Sequence, residues 1–269
     1  LRKHQPTALF SAPAHMAACL GLGLLDEQIL SHLKLVVMSG SAVPQSVARA
    51  LQGLMPAGTV SQLWGMTETQ AGLYTRPGDT LDVVAGSAGR PSPGTEARIV
   101  ADDASVLGPG TQGELQIRGC LLFPGYLDNP DANAACFSQD GWFCTGDLAR
   151  QDAHGNITIT GRIKDVINRG GVKYNPRDVE DLLDQHEDVS AAAIVPIPDA
   201  VLGERACCFI TTAAGSTPTL ESLCAYLTRQ GISKVKLPEH LVVVDEMPLT
   251  PTRKIIKSRL PLPASARAS

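Results

Sequence analysis

Four short segments carry residue types at spacings that could do chemistry. Gly65-Met66-Thr67-Glu68, after Gln62-Leu63-Trp64, sets a hydroxyl and a carboxylate in one loop. The hydroxyl can donate to a phosphate and the Glu can hold the Mg²⁺ that accompanies it, although the tetrad alone reads equally as a polar turn with a helix cap. Trp142-Phe143-Cys144-Thr145-Gly146-Asp147 puts a carboxylate straight after a Gly at the end of an apolar segment. Such a carboxylate can accept hydrogen bonds from ribose hydroxyls, while Thr-Gly-Asp by itself suggests a turn. In Gly161-Arg162-Ile163-Lys164-Asp165-Val166-Ile167-Asn168-Arg169-Gly170-Gly171, Arg162 offers a planar fork for phosphate or ribose oxygens. The double glycine reads as a close backbone approach rather than a simple surface turn. Finally, Pro248-Leu249-Thr250-Pro251-Thr252-Arg253-Lys254-Ile255 presents a lysine in a loop stiffened by two prolines. It could reach a negative charge, and in isolation it reads as a solvated side chain.

These segments need elements to position them. From 1 to about 80, helix-like and strand-like stretches alternate: helical character near 12–25, an apolar run at 33–38 ended by Ser39-Gly40-Ser41, and a helix-like run at 45–54. Strand, Gly/Ser turn and helix make an α/β unit with its loop at the strand's carboxyl end, where open α/β sheets bind ligands. From about 85 to 160 short strand candidates at 96–100, 113–118 and 156–160 are separated by turn signals, which predicts a small β-barrel or sandwich. Beyond Arg162 follow a helix at 176–186, strands at 192–197, 206–212 and 240–244, and a helix at 220–230, an α+β unit of small-domain size.

Composition narrows the class. The 269 residues suffice for one large or two modest domains, and the net charge of −4 is interspersed, so nucleic acid is not expected as a partner. No apolar stretch approaches the ~20 residues of a membrane span. The seven cysteines form no CxxC pair and read as reduced core thiols of a cytoplasmic protein, without zinc or a disulfide framework. The chain begins at Leu1 rather than Met, without a signal-peptide pattern.

In order and spacing the four segments resemble the adenylate-forming superfamily, which includes acyl-CoA synthetases, aryl-acid ligases, luciferases and nonribosomal adenylation domains. The resemblance runs from about residue 5 to 262, and extends to Gly125-Tyr126 with Trp142, Pro198-Asp199 with Leu202-Gly203-Glu204, and Lys236-Leu237-Pro238. It implies an acetyl-CoA synthetase-like fold, incomplete at its amino end. Residues 1–163 would be the carboxy-terminal part of the large AMP-binding domain, with an α/β unit at 1–84 and a β-rich, barrel-like subdomain at 85–163. Residues 164–269 would be the small mobile C-terminal domain. The implied reaction joins a carboxylic acid to AMP with ATP and Mg²⁺, then passes the acyl group to CoA or a carrier protein.

Carried over by position, Gly40, Ser41 and Ala42 match the loop beside adenine and the acyl group. Trp64, Gly65, Met66 and Thr67 match the segment beside adenine and the α-phosphate, with Glu68 as the Mg²⁺ ligand. Asp147 matches the ribose-binding carboxylate, Arg162 the nucleotide-binding arginine and Lys164 the hinge. Gly170, Gly171 and Lys173 fall along the thiol tunnel, and Lys254 matches the lysine that stabilises charge during adenylation.

Two departures stand out. Arg253 occupies a position where the family usually has Gly, and a side chain is strained there if the position needs φ > 0. The Ser/Thr/Gly/Lys-rich loop that grips the β- and γ-phosphates lies upstream in the family and is not in this sequence. The expectation is therefore a fragment that does not turn over alone, with a sheet edge and apolar faces exposed. Residues 65–68 with Tyr74-Thr75-Arg76-Pro77 and Val84-Ala85-Gly86 resemble CoA ligases of the cyclohexanecarboxylate and medium-chain fatty acid type. Residues 167–171 and 236–238 resemble aryl-acid ligases that load a carrier protein. The CoA ligase is the favoured reading, and a truncated, non-catalytic nucleotide-binding relic is a third.

Overall fold

The computed structural model describes residues 1–251 and 254–261. Its contacts divide the chain into two units, Leu1–Ile159 and Thr160–Ser269. The division falls inside a strand, Ile157–Arg162, slightly ahead of the 163/164 boundary expected from the sequence.

The first unit opens with a mixed sheet. Strands β1 (Ala8–Ser11), β2 (Leu35–Met38) and β3 (Thr59–Trp64) run parallel, and β4 (Leu73–Tyr74) and β5 (Arg90–Pro91) continue it antiparallel. Val36, Val37 and Met38 are all buried, the near-continuous apolar run of a parallel strand covered on both faces. Four helices accompany it: α1 (Pro13–Gly21), α2 (Glu27–Leu30), α3 (Gln45–Gly53) and α4 (Leu81–Gly86). Pro13 supplies a preset φ at the start of α1, while the side chains of Asp26 and Thr80 accept the orphan N–H groups of Ile29 and Val83 in α2 and α4. Val47, Ala48 and Leu51 lie on one face of α3 and join Leu30, Met38, Val60 and Val84 in the core. Burying a side chain of that size contributes roughly 1.5–3 kcal/mol.

The β-rich region is an antiparallel meander in the order β6 (Thr95–Val100), β7 (Gln112–Gly119), β8 (Phe143–Gln151) and β9 (Ile157–Arg162), with helix α5 (Pro130–Cys136) between β7 and β8. Among the described residues β6 and β9 are its outer strands and do not pair with each other. The barrel-like subdomain is thus an open four-stranded sheet here, because closure needs that last pairing.

The second unit holds β10 (Ile167–Arg169), β11 (Val172–Tyr174), α6 (Arg177–Leu183), β12 (Val189–Asp199), β13 (Gly203–Thr212), α7 (Leu220–Arg229) and β14 (His240–Val243). The sheet runs β11-β10-β13-β12, with β14 parallel to β13. Val179, Leu183, Leu223 and Leu227 of the two helices cover one face, and Met247 and Leu260 cover the other. A reciprocal capping box between Thr219 and Ser222 starts α7. Along the outer edge of β12 the N–H groups of Ala192 and Ile194 donate to Oδ1 of Asp184, the C-cap of α6, and to Oε1 of Glu180 on α6.

All seven cysteines are unbridged, and only Cys207 and Cys208 are core residues; Cys120 is exposed, contrary to a uniformly buried set. No helix among the described residues is long and apolar enough to cross a membrane.

Candidate active site

In the first unit the loops after β2 and β3 leave the same edge of the parallel sheet, because Met38 pairs with Gln62 at the strands' carboxyl ends. Gly40, Ser41 and Ala42 lie in the first loop, and Gly65, Met66, Thr67 and Glu68 in the second. Only glycine fits at 65, where an added Cβ would stand 1.7 Å from the Gln70 carbonyl oxygen. The loop is tied by the Met66 N–H, which donates to the buried Thr69 Oγ1 at 3.2 Å, while Thr67 is exposed. Thr69, whose hydroxyl ties this loop, was passed over in the sequence reading.

Asp147 lies inside β8, not in the turn that Thr-Gly-Asp by itself suggests. Between the pairs Glu114↔Leu148 and Gln116↔Cys144, β8 carries Thr145, Gly146 and Asp147 opposite Leu115 alone, a bulge that re-aims the chain. Side chains satisfy the disturbed ladder. Thr145 Oγ1 donates to the Leu115 carbonyl at 2.7 Å and accepts from the Asp147 N–H at 3.1 Å, and the Gly146 N–H donates to Glu114 Oε1. Asp147 is 3% exposed, and Trp64 Nε1–H donates to its Oδ2 at 2.9 Å. The segment beside the glycine loop and the proposed ribose carboxylate are therefore one hydrogen-bonded pair.

Glu68 is held at two points by the segment after β7. Its carbonyl accepts the Phe123 N–H at 2.9 Å, and its Oε1 accepts the Tyr126 hydroxyl, also at 2.9 Å. That hydrogen bond to a carboxylate pushes the Tyr126 phenol up from its ordinary value. Trp142 plays a different part: its ring stacks on the guanidinium groups of Arg98 and Arg118, each 4.5 Å from the centroid, and anchors the entry to β8. Arg98 also makes a two-pronged bond to Asp140, holding that carboxyl down at about 2.

In the second unit Arg162 ends β9 and Lys164 lies exposed in the single 3₁₀ turn Ile163–Asp165. Gly170 and Gly171 prove to be a turn after all. They form the two-residue loop of the β10–β11 hairpin, since Arg169 pairs with Val172 and φ is +58° and +89°. That matches the primed turns whose twist suits a hairpin. Lys173 is exposed in β11. Arg169 forms a two-pronged bond with Glu239 that ties the hairpin to the segment before β14. Lys254 is exposed in a loop closed by the Leu249↔Ile255 bridge. The Thr250 N–H donates to the Lys254 carbonyl, and the Lys254 N–H donates to Thr250 Oγ1. Arg253 lies outside the described residues.

Among the described residues no group of three or more His, Cys, Asp or Glu could enclose a metal ion. Glu68 fits the sparser requirement of Mg²⁺, which takes one or two carboxylates and completes its shell with phosphate and water.

Residues 1–127 match the AMP-binding enzyme family and residues 178–254 the AMP-binding enzyme C-terminal domain. A medium-chain fatty-acid–CoA ligase of Escherichia coli K12 is 36% identical over 88% of this chain and 42% of its own length. A salicyl-AMP ligase/salicyl-S-ArCP synthetase of Mycobacterium tuberculosis H37Rv is 38% identical over 84% of this chain and 40% of its own. The ATP-bound crystal structure of MatB from Rhodopseudomonas palustris superposes with a TM-score of 0.86 at 27% identity, over 94% of this chain and 50% of that one. The chain spans about two fifths of the length of these curated relatives. With the acetyl-CoA synthetase-like fold and both family matches in the expected order, the chain belongs to the adenylate-forming, AMP-binding enzyme family.

Proposed function

We propose that the complete gene product activates a carboxylic acid with ATP and transfers the acyl group to the thiol of CoA. The observation that carries this reading is Asp147, a buried carboxylate gripped by Trp64 next to the loop bearing Thr67 and Glu68. In the first step a carboxylate oxygen attacks the α-phosphorus, the bond to pyrophosphate breaks and an acyl-phosphate anhydride forms. Asp147 accepts from a ribose hydroxyl, Arg162 adds a second contact to the nucleotide, and the Thr67 hydroxyl donates to a phosphate oxygen. The Lys254 ammonium stabilises charge developing between carboxylate and α-phosphate. Mg²⁺ held by Glu68 would neutralise phosphate charge. Gly40, Ser41, Ala42, Gly65 and Met66 shape the space beside adenine. In the second step the thiol sulfur attacks the activated carbonyl and AMP leaves, with Lys164 as pivot and Gly170, Gly171 and Lys173 lining the thiol's approach.

A second reading, transfer to an aryl carrier protein, is favoured by the mycobacterial relative, whose name describes that chemistry. The test is pyrophosphate release by the complete gene product with benzoate, cyclohexanecarboxylate and octanoate, with and without CoA. CoA thioester formation with any of them supports the ligase. Adenylate formation without transfer supports the carrier reading, and no pyrophosphate from any acid counts against both.

A further inference from the structure

The geometry points to Tyr126 as the positioning residue for the Glu68 carboxylate, the hydroxyl fixing that carboxylate for a divalent cation that arrives with the nucleotide. The inference rests on the metal-ligand reading of Glu68 and goes beyond it, because it concerns a side chain 58 positions away in the sequence.

Tyr126 is itself constrained. Its N–H donates to Asn133 Oδ1 at 2.6 Å, and Asn133 Nδ2 donates back to the Tyr126 carbonyl at 2.9 Å. Asn133 sits on α5, whose first turn is capped by Asn129 and preset by Pro130. The ring meets Phe123 edge-on with centroids 4.8 Å apart, and Phe123 stacks against Phe137 and meets Phe143 edge-on. From the same short segment the Phe123 N–H holds the Glu68 carbonyl. Backbone and carboxylate of Glu68 are thus fixed by one rigid clamp, although Tyr126 is 38% exposed and gains little from burial. The hydroxyl occupies Oε1 and leaves Oε2 for a cation. Partners that orient a metal-binding carboxylate in this way typically govern affinity by tenfold or more.

The test uses Mn²⁺ as probe, its binding to the ATP complex of the complete gene product followed by electron paramagnetic resonance, for the native protein, Tyr126→Phe and Glu68→Gln. Tyr126→Phe removes one oxygen and keeps the ring packing. The expected result is a Mn²⁺ Kd raised about tenfold, with metal-free AMP affinity and Tm unchanged and with kcat recovered at saturating metal. A Mn²⁺ Kd within twofold of native in Tyr126→Phe, alongside a clear loss in Glu68→Gln, overturns the role of Tyr126 and leaves Glu68 as ligand. An unchanged Kd in Glu68→Gln overturns both.

Discussion

Replacing Trp64 by Phe removes the one indole donor that binds Asp147 Oδ2 while keeping an aromatic ring beside the glycine loop. Asp147 is 3% exposed, so water does not readily replace the donor. Net loss of a hydrogen bond to a charged group costs about 1.5–3 kcal/mol, equivalent to roughly 10- to 150-fold in Kd where all of it falls on nucleotide binding. AMP affinity of Trp64→Phe, measured by calorimetry on the complete gene product, should therefore fall by about tenfold or more. The decisive measurement is the same substitution in an Asp147→Ala background, where it should have almost no further effect because its target is gone. If Trp64→Phe weakens AMP by the same factor with and without Asp147, the indole acts on the base alone and the reasoning fails.

Lys254→Ala should lower pyrophosphate release by about 10²–10³-fold while thioester formation from supplied acyl-adenylate stays within a few-fold; equal loss in both half-reactions contradicts a role confined to adenylation. Gly171 has φ +89° and nothing within 4 Å of an added Cβ. Gly171→Ala should thus cost about 1 kcal/mol through the backbone alone and Gly171→Asn less, read from chemical denaturation. Glu68→Gln should bring the Tyr126 phenol back down toward its ordinary value, because the carboxylate hydrogen bond is the largest cause of its rise. Ultraviolet titration, differenced against Tyr126→Phe to remove the other tyrosines, reads it directly.

Much of the local structure was legible because it depends on neighbours in the sequence. The α3 face of Val47, Ala48 and Leu51, the strands at β6 and β7 and the helix α7 all follow from apolar periodicity with recognisable ends. The bulge at Thr145-Gly146-Asp147 was not legible, since it exists only relative to Leu115 on the opposite strand. Gly170-Gly171 carried a hairpin signal that the flanking basic residues obscured. At the site, residue types pointed to the glycine loop and to Asp147. The bonds from Trp64 to Asp147 and from Tyr126 to Glu68 span 83 and 58 positions, and no periodicity records such pairings. Thr69 could have been found as a hydroxyl two residues beyond Thr67, but its burial reverses the usual expectation for a loop threonine.

The carboxylates on α6 and its C-cap that take up the outer N–H groups of β12 have a consequence for handling the protein. A strand whose outward donors are already engaged by Glu180 and Asp184 gives an incoming chain less to copy, so β12 is a poor template for edge-to-edge association. The first unit lacks such cover: among the described residues β1 pairs only with β2, and Phe10 on it is 70% exposed. Prepared as these 269 residues alone, the chain should therefore begin concentration-dependent self-association at β1, read by light scattering. A lysine at Phe10 should suppress it, whereas neutralising Glu180 or Asp184 should open a second route through β12.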